Sequence, residues 1–189
     1  MNEFSHFFRE RERSWFNEMR SFLPLRPHKI LKIGNGFGHL SEMIREFNTS
    51  STILDVTIFD ETVNGAQVML YDGEKLDFTN GSFDTCVLNL TLHHIRNSRS
   101  YFRNEILRVT AKRVILIEET YDNIFQKIHL VFRDWWLNRK AGQPCRIHWG
   151  SYFSRKQMTQ FIRNNKLTLV KRMTTKHHSY FKELIVIDL

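Results

Sequence analysis

Residues 30–40 read Ile-Leu-Lys-Ile-Gly-Asn-Gly-Phe-Gly-His-Leu, a short apolar run followed by three glycines at alternate positions. Gly34, Gly36 and Gly38 have no Cβ, so the backbone of this loop can lie close against a bound ligand. A dinucleotide-binding loop has the spacing Gly-x-Gly-x-x-Gly, which would place its third glycine at position 39. That position is His39. The tighter spacing predicts a strand, a ligand-binding turn and a helix, in that order.

The length and composition of the chain are typical of a globular protein. It has 189 residues, of which 41% are hydrophobic and 25% charged, so we expect one domain spanning residues 1–189. No apolar stretch approaches the roughly 18 residues of a membrane helix. The first residues lack the basic and apolar regions of a signal peptide. We therefore expect a cytoplasmic protein without a transmembrane segment.

The net charge and the cysteine spacing limit which partners, disulfides and metal sites we expect. The net charge of +8 attracts nucleic acid and anionic membrane surfaces, but the basic residues are spread along the chain, which favours a solvated surface. Nucleic-acid binding and peripheral membrane contact stay open as alternatives. Cys86 and Cys145 have no C-x-x-C spacing, so we expect no disulfide framework and no metal site.

Strand-like and helix-like segments alternate along most of the chain. The strands are expected near 28–33, 52–58, 67–71, 84–90 and 112–118, followed by a hairpin at 167–173 and 181–188. The helices are expected near 2–22, 38–47, 98–110, 122–140 and 154–164. Alternation of this kind predicts an α/β fold with a parallel sheet and right-handed crossovers.

The glycine loop, together with the segments that follow it, resembles the class I methyltransferases that use S-adenosylmethionine (SAM), in particular small single-domain members of the type 11 kind. This resemblance implies a Rossmann-like, doubly wound, mostly parallel seven-stranded sheet with a C-terminal antiparallel hairpin. It also implies SAM as cofactor and S-adenosylhomocysteine (SAH) as product. Gly34, Asn35, Gly36 and Gly38 would then lie against the methionine part of SAM. One residue departs from the family, because Lys32 stands where an acidic residue is usual.

Further residues match the cofactor-binding positions of the same family. Asp55, near the end of the expected second strand, would accept hydrogen bonds from the ribose hydroxyls, with Asp60 as the alternative. After the expected third strand, Asp72 would contact the adenine amino group, and Gly73 or Glu74 the adenine edge. Asn89 ends the expected fourth strand, close to the position of the transferred methyl group.

Histidines and carboxylates follow the next two strand ends. His93 and His94 are the candidate general bases, because an imidazole beside the methyl donor can accept the proton of a nucleophile. Packing or capping is the alternative role for both. Glu118 and Glu119 are expected at the end of the fifth strand, facing the same crevice.

The resemblance also implies that two helical segments cover the acceptor site: an N-terminal lid at 1–26 and an insert at 122–150. The helix at 122–140 is expected to pack one apolar face against the core and, with residues 1–22, to enclose an apolar pocket. The residues of that face are Ile124, Ile128, Val131, Phe132 and Trp135. One of Trp135 and Trp136 is expected to face away from the core.

The functional hypothesis is a SAM-dependent methyltransferase acting on a small organic acceptor, with O-, N- and C-methylation all open. Two alternatives remain. Lys32 would repel the cofactor sulfonium if the ammonium lay close to it, which allows a methyltransferase-fold protein with weakened or lost catalysis that serves as a binding partner. The net charge allows an RNA or protein methyltransferase. The oligomeric state is left undetermined.

Overall fold

The computed structural model describes residues 3–34, 36–57, 68–142 and 145–189. Over these residues the chain forms an α/β fold built on one mixed sheet. Seven strands follow the order β3-β2-β1-β4-β5-β8-β7, and the short β6 pairs with β5. The strands β1 to β5 are parallel to one another, whereas β8 runs antiparallel to β5 and β7 antiparallel to β8. The expected doubly wound sheet with a closing hairpin is confirmed.

The strands are β1 Lys29–Ile33, β2 Thr52–Thr57, β3 Val68–Leu70, β4 Phe83–Asn89, β5 Thr110–Tyr121, β6 Phe153–Ser154, β7 Thr168–His177 and β8 Tyr180–Asp188. The helices are α1 Glu3–Met19, α2 His39–Phe47, α3 Ser98–Tyr101, α4 Leu107–Val109, α5 Ile124–Lys140 and α6 Arg155–Asn164. A π-helical turn, Phe102–Ile106, joins α3 to α4.

Helices cover both faces of the sheet, and each face has its own hydrophobic core. On one side Trp15 and Met19 of α1 and Leu40 of α2 pack against the sheet. On the other side the segment from α3 to α4 and helix α6 pack against alternate residues of the same strands. Alternation is visible in β5, where Ile115 belongs to the first core and Leu116 to the second. Central strands buried on both faces explain the continuous apolar runs in the sequence.

Strands β2 and β5 both continue past the candidate site residues that were expected near their ends. β2 continues past Asp55 because Val56 and Thr57 pair with Met69 and Leu70 of β3. β5 extends to Tyr121, since its last residues pair with both β8 and β6. Asp55 and the pair Glu118 and Glu119 therefore lie within strands rather than at their ends.

Among the described residues, no helix is long and apolar enough to cross a membrane.

Candidate active site

The glycine loop turns sharply between β1 and α2. Gly34, Gly36 and Gly38 all have positive φ, at 82°, 53° and 78°, which is a conformation that L side chains rarely adopt. The Gly34 N–H donates to the Val56 carbonyl at 2.8 Å, which fixes the loop to β2. A Cβ on Gly34 would lie 1.9 Å from Thr91 Oγ1. The first glycine is therefore required by the packing of the chain itself. Asn35 lies outside the described residues.

Lys32 is buried beneath this loop and is paired with Asp55. Its side chain is 1% exposed, and Nζ lies 3.8 Å from Asp55 Oδ1 and donates to the Gly34 carbonyl. Lys32 and Asp55 are neighbours in the register of β1 and β2, which explains the pairing. Burial lowers the pKa of the Lys32 ammonium, while Asp55 and Glu12 oppose this shift. The ammonium neither points to solvent nor stands unpaired beside the loop.

The carboxylate of Asp55 has a full set of protein partners. Ser41 Oγ donates to Oδ1 at 2.6 Å, Arg45 donates to Oδ2, and the side chain is 0% exposed. Two of these partners come from α2, so the carboxylate also joins β2 to that helix. A ribose contact would require exchange of these bonds, so the role of Asp55 in ribose binding stays a prediction. The alternative, Asp60, lies outside the described residues.

Glu12 is the site residue that the sequence analysis missed. It comes from α1, is 5% exposed, and its Oε2 accepts a hydrogen bond from the Leu40 N–H at 2.8 Å. Leu40 is in the first turn of α2, where a carboxylate is favoured by the unpaired N–H groups and the helix dipole. The other oxygen, Oε1, lies 3.7 Å from the position that a Cβ on Gly36 would take. Burial raises the pKa of Glu12, and Lys32 opposes this shift. A carboxylate therefore faces the glycine loop, although it comes from α1 rather than from β1.

The turn after β3 brings Asp72 and Gly73 to the surface in a fixed conformation. Asp72 Oδ1 accepts from the N–H groups of Glu74 at 2.7 Å and of Lys75 at 2.9 Å, an arrangement typical of an Asx turn. The bond from Lys75, followed by that from Glu74, lowers the pKa of Asp72, so this exposed carboxyl group is ionised near neutral pH. Gly73 has a φ of 83°. Both bonds use Oδ1, and the second oxygen is oriented by them.

Asn89, at the end of β4, carries a buried acceptor. Its Oδ1 has no hydrogen-bond partner among the described residues, which is unusual for a buried polar atom. The backbone carbonyl of Asn89 accepts from Thr91 Oγ1 at 2.9 Å, and Thr91 is the residue that packs against Gly34. The end of β4 and the glycine loop are thus in direct contact.

His93 and His94 converge on a carboxylate of α5. His93 Nε2 lies 3.6 Å from Asp134 Oδ2, and His94 Nε2 lies 3.7 Å from Asp134 Oδ1. His93 Nδ1 bonds to Glu118 Oε1, and His94 Nδ1 lies 3.1 Å from the Arg146 carbonyl. Burial opposes protonation of His93, but Glu118 and Asp134 outweigh it and raise its pKa well above the ordinary value. Burial and the neighbouring His93 lower the pKa of His94.

A cavity of about 40 Å³ lies beside these histidines, between α1, α5 and the strand ends. It is lined by Phe8, Arg11, Leu90, His94, Glu119, Arg133, Asp134, Leu137 and Asn138. Arg133 and Glu119 form an ion pair in its wall at 3.5 Å. A small cavity thus lies between the two helices, but most of its lining residues are polar or charged, whereas the sequence predicts an apolar pocket.

The orientation of α5 also differs from the expectation. Leu130 is buried and Val131 partly buried, whereas the other residues of the expected core-facing stripe are 42% to 59% exposed. Leu130 packs among Tyr121, Tyr152 and Tyr180. Lys127 is also buried, with its ammonium 4.4 Å from the centre of the Trp149 ring. The helix therefore buries only a narrow face around Leu130, which packs against the three tyrosines. Both Trp135 and Trp136 are more than 40% exposed.

Comparison with known proteins agrees with this geometry. Residues 7–172 match the family model described as the methyltransferase domain. No curated protein sequence matches the chain.

Solved structures share the fold at low sequence identity. A SAM-dependent methyltransferase from Methanosarcina mazei is 16% identical, with a TM-score of 0.66 over 90% of this chain and 96% of its own. One from Mesorhizobium loti is 13% identical, with a TM-score of 0.65 over 92% and 97% of the two chains. The magnesium protoporphyrin IX methyltransferase of Synechocystis, solved with bound SAH, is 12% identical, with a TM-score of 0.63 over 96% and 83%. At these identities the likeness establishes the fold.

The fold, with a glycine loop after β1 and helices on both faces of the sheet, is that of the SAM-dependent methyltransferases. The matched residues make up most of the sequence, and the chain belongs to the methyltransferase domain family, with SAM as its cofactor.

Proposed function

We propose that this protein transfers the methyl group of SAM to a small organic acceptor that carries a polar or ionisable group. The observation that carries the proposal is the small, partly polar cavity between α1, α5 and the strand ends. Its walls include Arg11, Glu119 and Arg133, which suit an acceptor with polar groups of its own. At about 40 Å³ the cavity has room for only a few water molecules. The two helices would have to separate for an acceptor to enter.

The described residues fit the cofactor at three places. The buried Asn89 Oδ1 lacks a protein partner and suits a ligand donor at the end of β4. The ionised Asp72 carboxylate, oriented by its turn, suits the adenine amino group. Glu12 supplies the acidic group beside the glycine loop that Lys32 does not. SAM, when bound, supplies an electrophilic methyl group on a sulfonium.

The proposed role of the protein in the transfer is mainly positioning and exclusion of water. α1 and α5 enclose the space in which the acceptor would lie. Glu118 and the Arg146 carbonyl hold the two imidazoles in fixed orientations beside that space. His94 borders the cavity and has a lowered pKa, so its neutral form is favoured and can accept a proton from the acceptor.

Lys32 is the observation that favours the alternative of a fold without catalysis, and its surroundings weaken that argument. The ammonium is paired with Asp55 and lies near Glu12, so much of its field at the loop is neutralised. Lys32 is positive at a position where the family usually has an acidic residue, but the carboxylates of Asp55 and Glu12 lie close to it.

The cofactor part of the proposal is tested by calorimetric titration of SAM and SAH into the wild-type protein, Asp72→Ala and Asp77→Ala. Asp72 and Asp77 are both exposed aspartates of the same loop, which makes the second variant a matched control. We expect binding by the wild type and by Asp77→Ala, and binding at least about tenfold weaker by Asp72→Ala. Absence of binding by all three proteins would favour the scaffold alternative.

The acceptor part is tested with SAM that carries a labelled methyl group. The protein is incubated with cell extract separated into low-mass, protein and RNA fractions. We expect label to enter a low-mass product. Incorporation into RNA or protein alone would overturn the small-molecule proposal and leave the methyltransferase class intact.

A further inference from the structure

The side chains of His93, His94 and Asp134 form a group with the composition and spacing of a metal site. Their ligand atoms, one from each residue, all lie within 4.8 Å of one another. His93 is 2% exposed, and its Nε2 has no hydrogen-bond partner among the described residues. The nearest carboxylate oxygen, Asp134 Oδ2, is 3.6 Å away, which is too far for a hydrogen bond.

The second nitrogen of each ring is already engaged by another group. The Arg146 carbonyl can only accept, so the His94 Nδ1 near it carries a proton. The Glu118 carboxylate holds His93 Nδ1 in the same way. In their neutral forms both imidazoles therefore present the Nε2 lone pair toward Asp134. Two lone pairs and a carboxylate that face one another favour a cation between them, either a metal ion or the proton of a protonated His93.

The carboxylate at the centre of the group is also oriented by its neighbours. Tyr152 Oη donates to Asp134 Oδ2 at 2.7 Å, and Asn138 Nδ2 donates to Oδ1 at 2.8 Å. Outer groups that bond to the non-ligating nitrogen of a histidine or to a ligating carboxylate are a general feature of metal sites. Here all three candidate ligands have such a group.

We propose that His93 Nε2, His94 Nε2 and the Asp134 carboxylate bind a divalent transition-metal ion of the Zn²⁺ type. Two imidazoles and one carboxylate favour Zn²⁺ over Mg²⁺ or Ca²⁺, which prefer oxygen ligands. Ligand distances of about 2 Å require the side chains to close by less than about 1 Å around the ion. Three protein ligands leave one position open, and His94 and Asp134 also line the cavity beside α1. An ion there would be accessible from the acceptor space. Because it would use the Nε2 lone pair of His94, His94 could act as a general base only in the metal-free protein.

This ligand set contains no cysteine. The spacing of Cys86 and Cys145, on which the expectation of no metal site was based, therefore gives no sign of it. The ligands come from two adjacent residues after β4 and from one residue in α5, and only the fold brings them together. A protonated His93 bridging Glu118 and Asp134 without any metal is the competing interpretation.

The test is calorimetric titration of Zn²⁺ alone into chelator-treated full-length protein. The variants are His94→Gln and Asp134→Asn, and the control is His129→Gln, an exposed histidine outside the group. We expect one ion per chain for the wild type and the control, and at least about tenfold weaker binding for both site variants. Equal affinity in all four proteins, or no binding by the folded wild type, would overturn the proposal.

Two further measurements protect the test against misfolded variants. Zn²⁺ should raise the melting temperature of the wild type and of His129→Gln, since a ligand that binds only the folded state stabilises it. Glu118→Gln keeps the shape of the residue that positions His93, and we expect Zn²⁺ affinity to fall about 10- to 100-fold. Undiminished affinity in Glu118→Gln would remove His93 from the ligand set and contradict the site. None of these measurements depends on methyl transfer.

Discussion

Lys32 and Asp55 face each other across β1 and β2, both buried, with Nζ 3.8 Å from Oδ1. Removing one member of a buried pair leaves the other charge without compensation, which costs about 3–5 kcal/mol. Asp55 retains Arg45 and Ser41, so we expect Lys32→Met to lower the free energy of unfolding by about 2–3 kcal/mol. Lys32→Asp should cost more, because it adds a second buried carboxylate beside Asp55.

Urea unfolding of Lys32→Met, of Asp55→Asn and of the variant that combines both substitutions measures the coupling free energy between the two residues in a double-mutant cycle. Lys112→Met is the control, since Lys112 pairs with Asp84 at the surface with 63% of its side chain exposed. Its effect should be below about 1 kcal/mol. A coupling energy near zero would mean that the buried pair adds nothing to stability.

Glu12 provides a prediction specific to the amino-acid part of the cofactor. We expect Glu12→Gln to weaken SAH binding about tenfold, because the neutral amide loses the attraction to the α-ammonium. Methylthioadenosine lacks that ammonium, so its affinity should stay unchanged. Glu10→Gln, on the exposed side of α1, is the matched control. Equal weakening of both ligands in calorimetry would show that Glu12 acts only through the fold.

A comparison of alanine substitutions at Gly34 and Gly142 distinguishes the cost of steric overlap from the cost of backbone strain. Both have positive φ, but a Cβ on Gly34 would overlap Thr91, whereas a Cβ on Gly142 meets nothing within 4 Å. Strain alone costs about 1–3 kcal/mol. In thermal unfolding we therefore expect Gly34→Ala to be clearly less stable than Gly142→Ala. Similar melting temperatures would mean that the loop moves away from Thr91 at little cost.

The orientation of helix α5 predicts that alanine substitutions at Leu130 and Phe132 have very different effects on stability. Leu130 is 0% exposed, so Leu130→Ala should lower the free energy of unfolding by about 2–5 kcal/mol. Phe132 is 59% exposed, so Phe132→Ala should change stability by no more than about 0.5 kcal/mol. Chemical denaturation of both variants checks the pair. A large loss in Phe132→Ala would show that the expected core-facing stripe is buried after all.

Asp84 contributes to the acid sensitivity of the fold. Lys112 first, and then the Lys29 N–H, lower its pKa from the ordinary value. A carboxyl group with a lowered folded-state pKa adds stability above its unfolded pKa of about 4, and this is lost as pH falls through the folded value. Asp84→Asn should therefore flatten the decline of melting temperature below about pH 4. Asp77→Asn, the exposed control, should leave the slope unchanged.

The sequence predicts the features that depend on local pattern. The three glycines, the apolar runs of β4 and β5, and the turn at Asp72 all have signals within a few residues, and the parallel part of the sheet follows from the alternation of strands and helices. The doubly wound strand order is what the resemblance to the methyltransferases implies. The hairpin of β7 and β8 is equally local.

The partners of Lys32 and the role of Glu12 depend on contacts between distant parts of the chain. The pairing of Lys32 with Asp55 requires the register of β1 and β2, and Glu12 reaches Leu40 only because α1 packs beside α2. The orientation of α5 was wrong for a similar reason. A helical period shows that an apolar stripe exists, but the three tyrosines around Leu130 decide which side is buried.

The position of Glu12 has a consequence for the kinetics of turnover. Its carboxylate is buried against the first turn of α2, beside the glycine loop. Through this contact α1 lies against one side of the glycine loop. We therefore expect cofactor exchange to be paced by the separation of α1 from α2, which would make release of the spent cofactor slower than the chemical step.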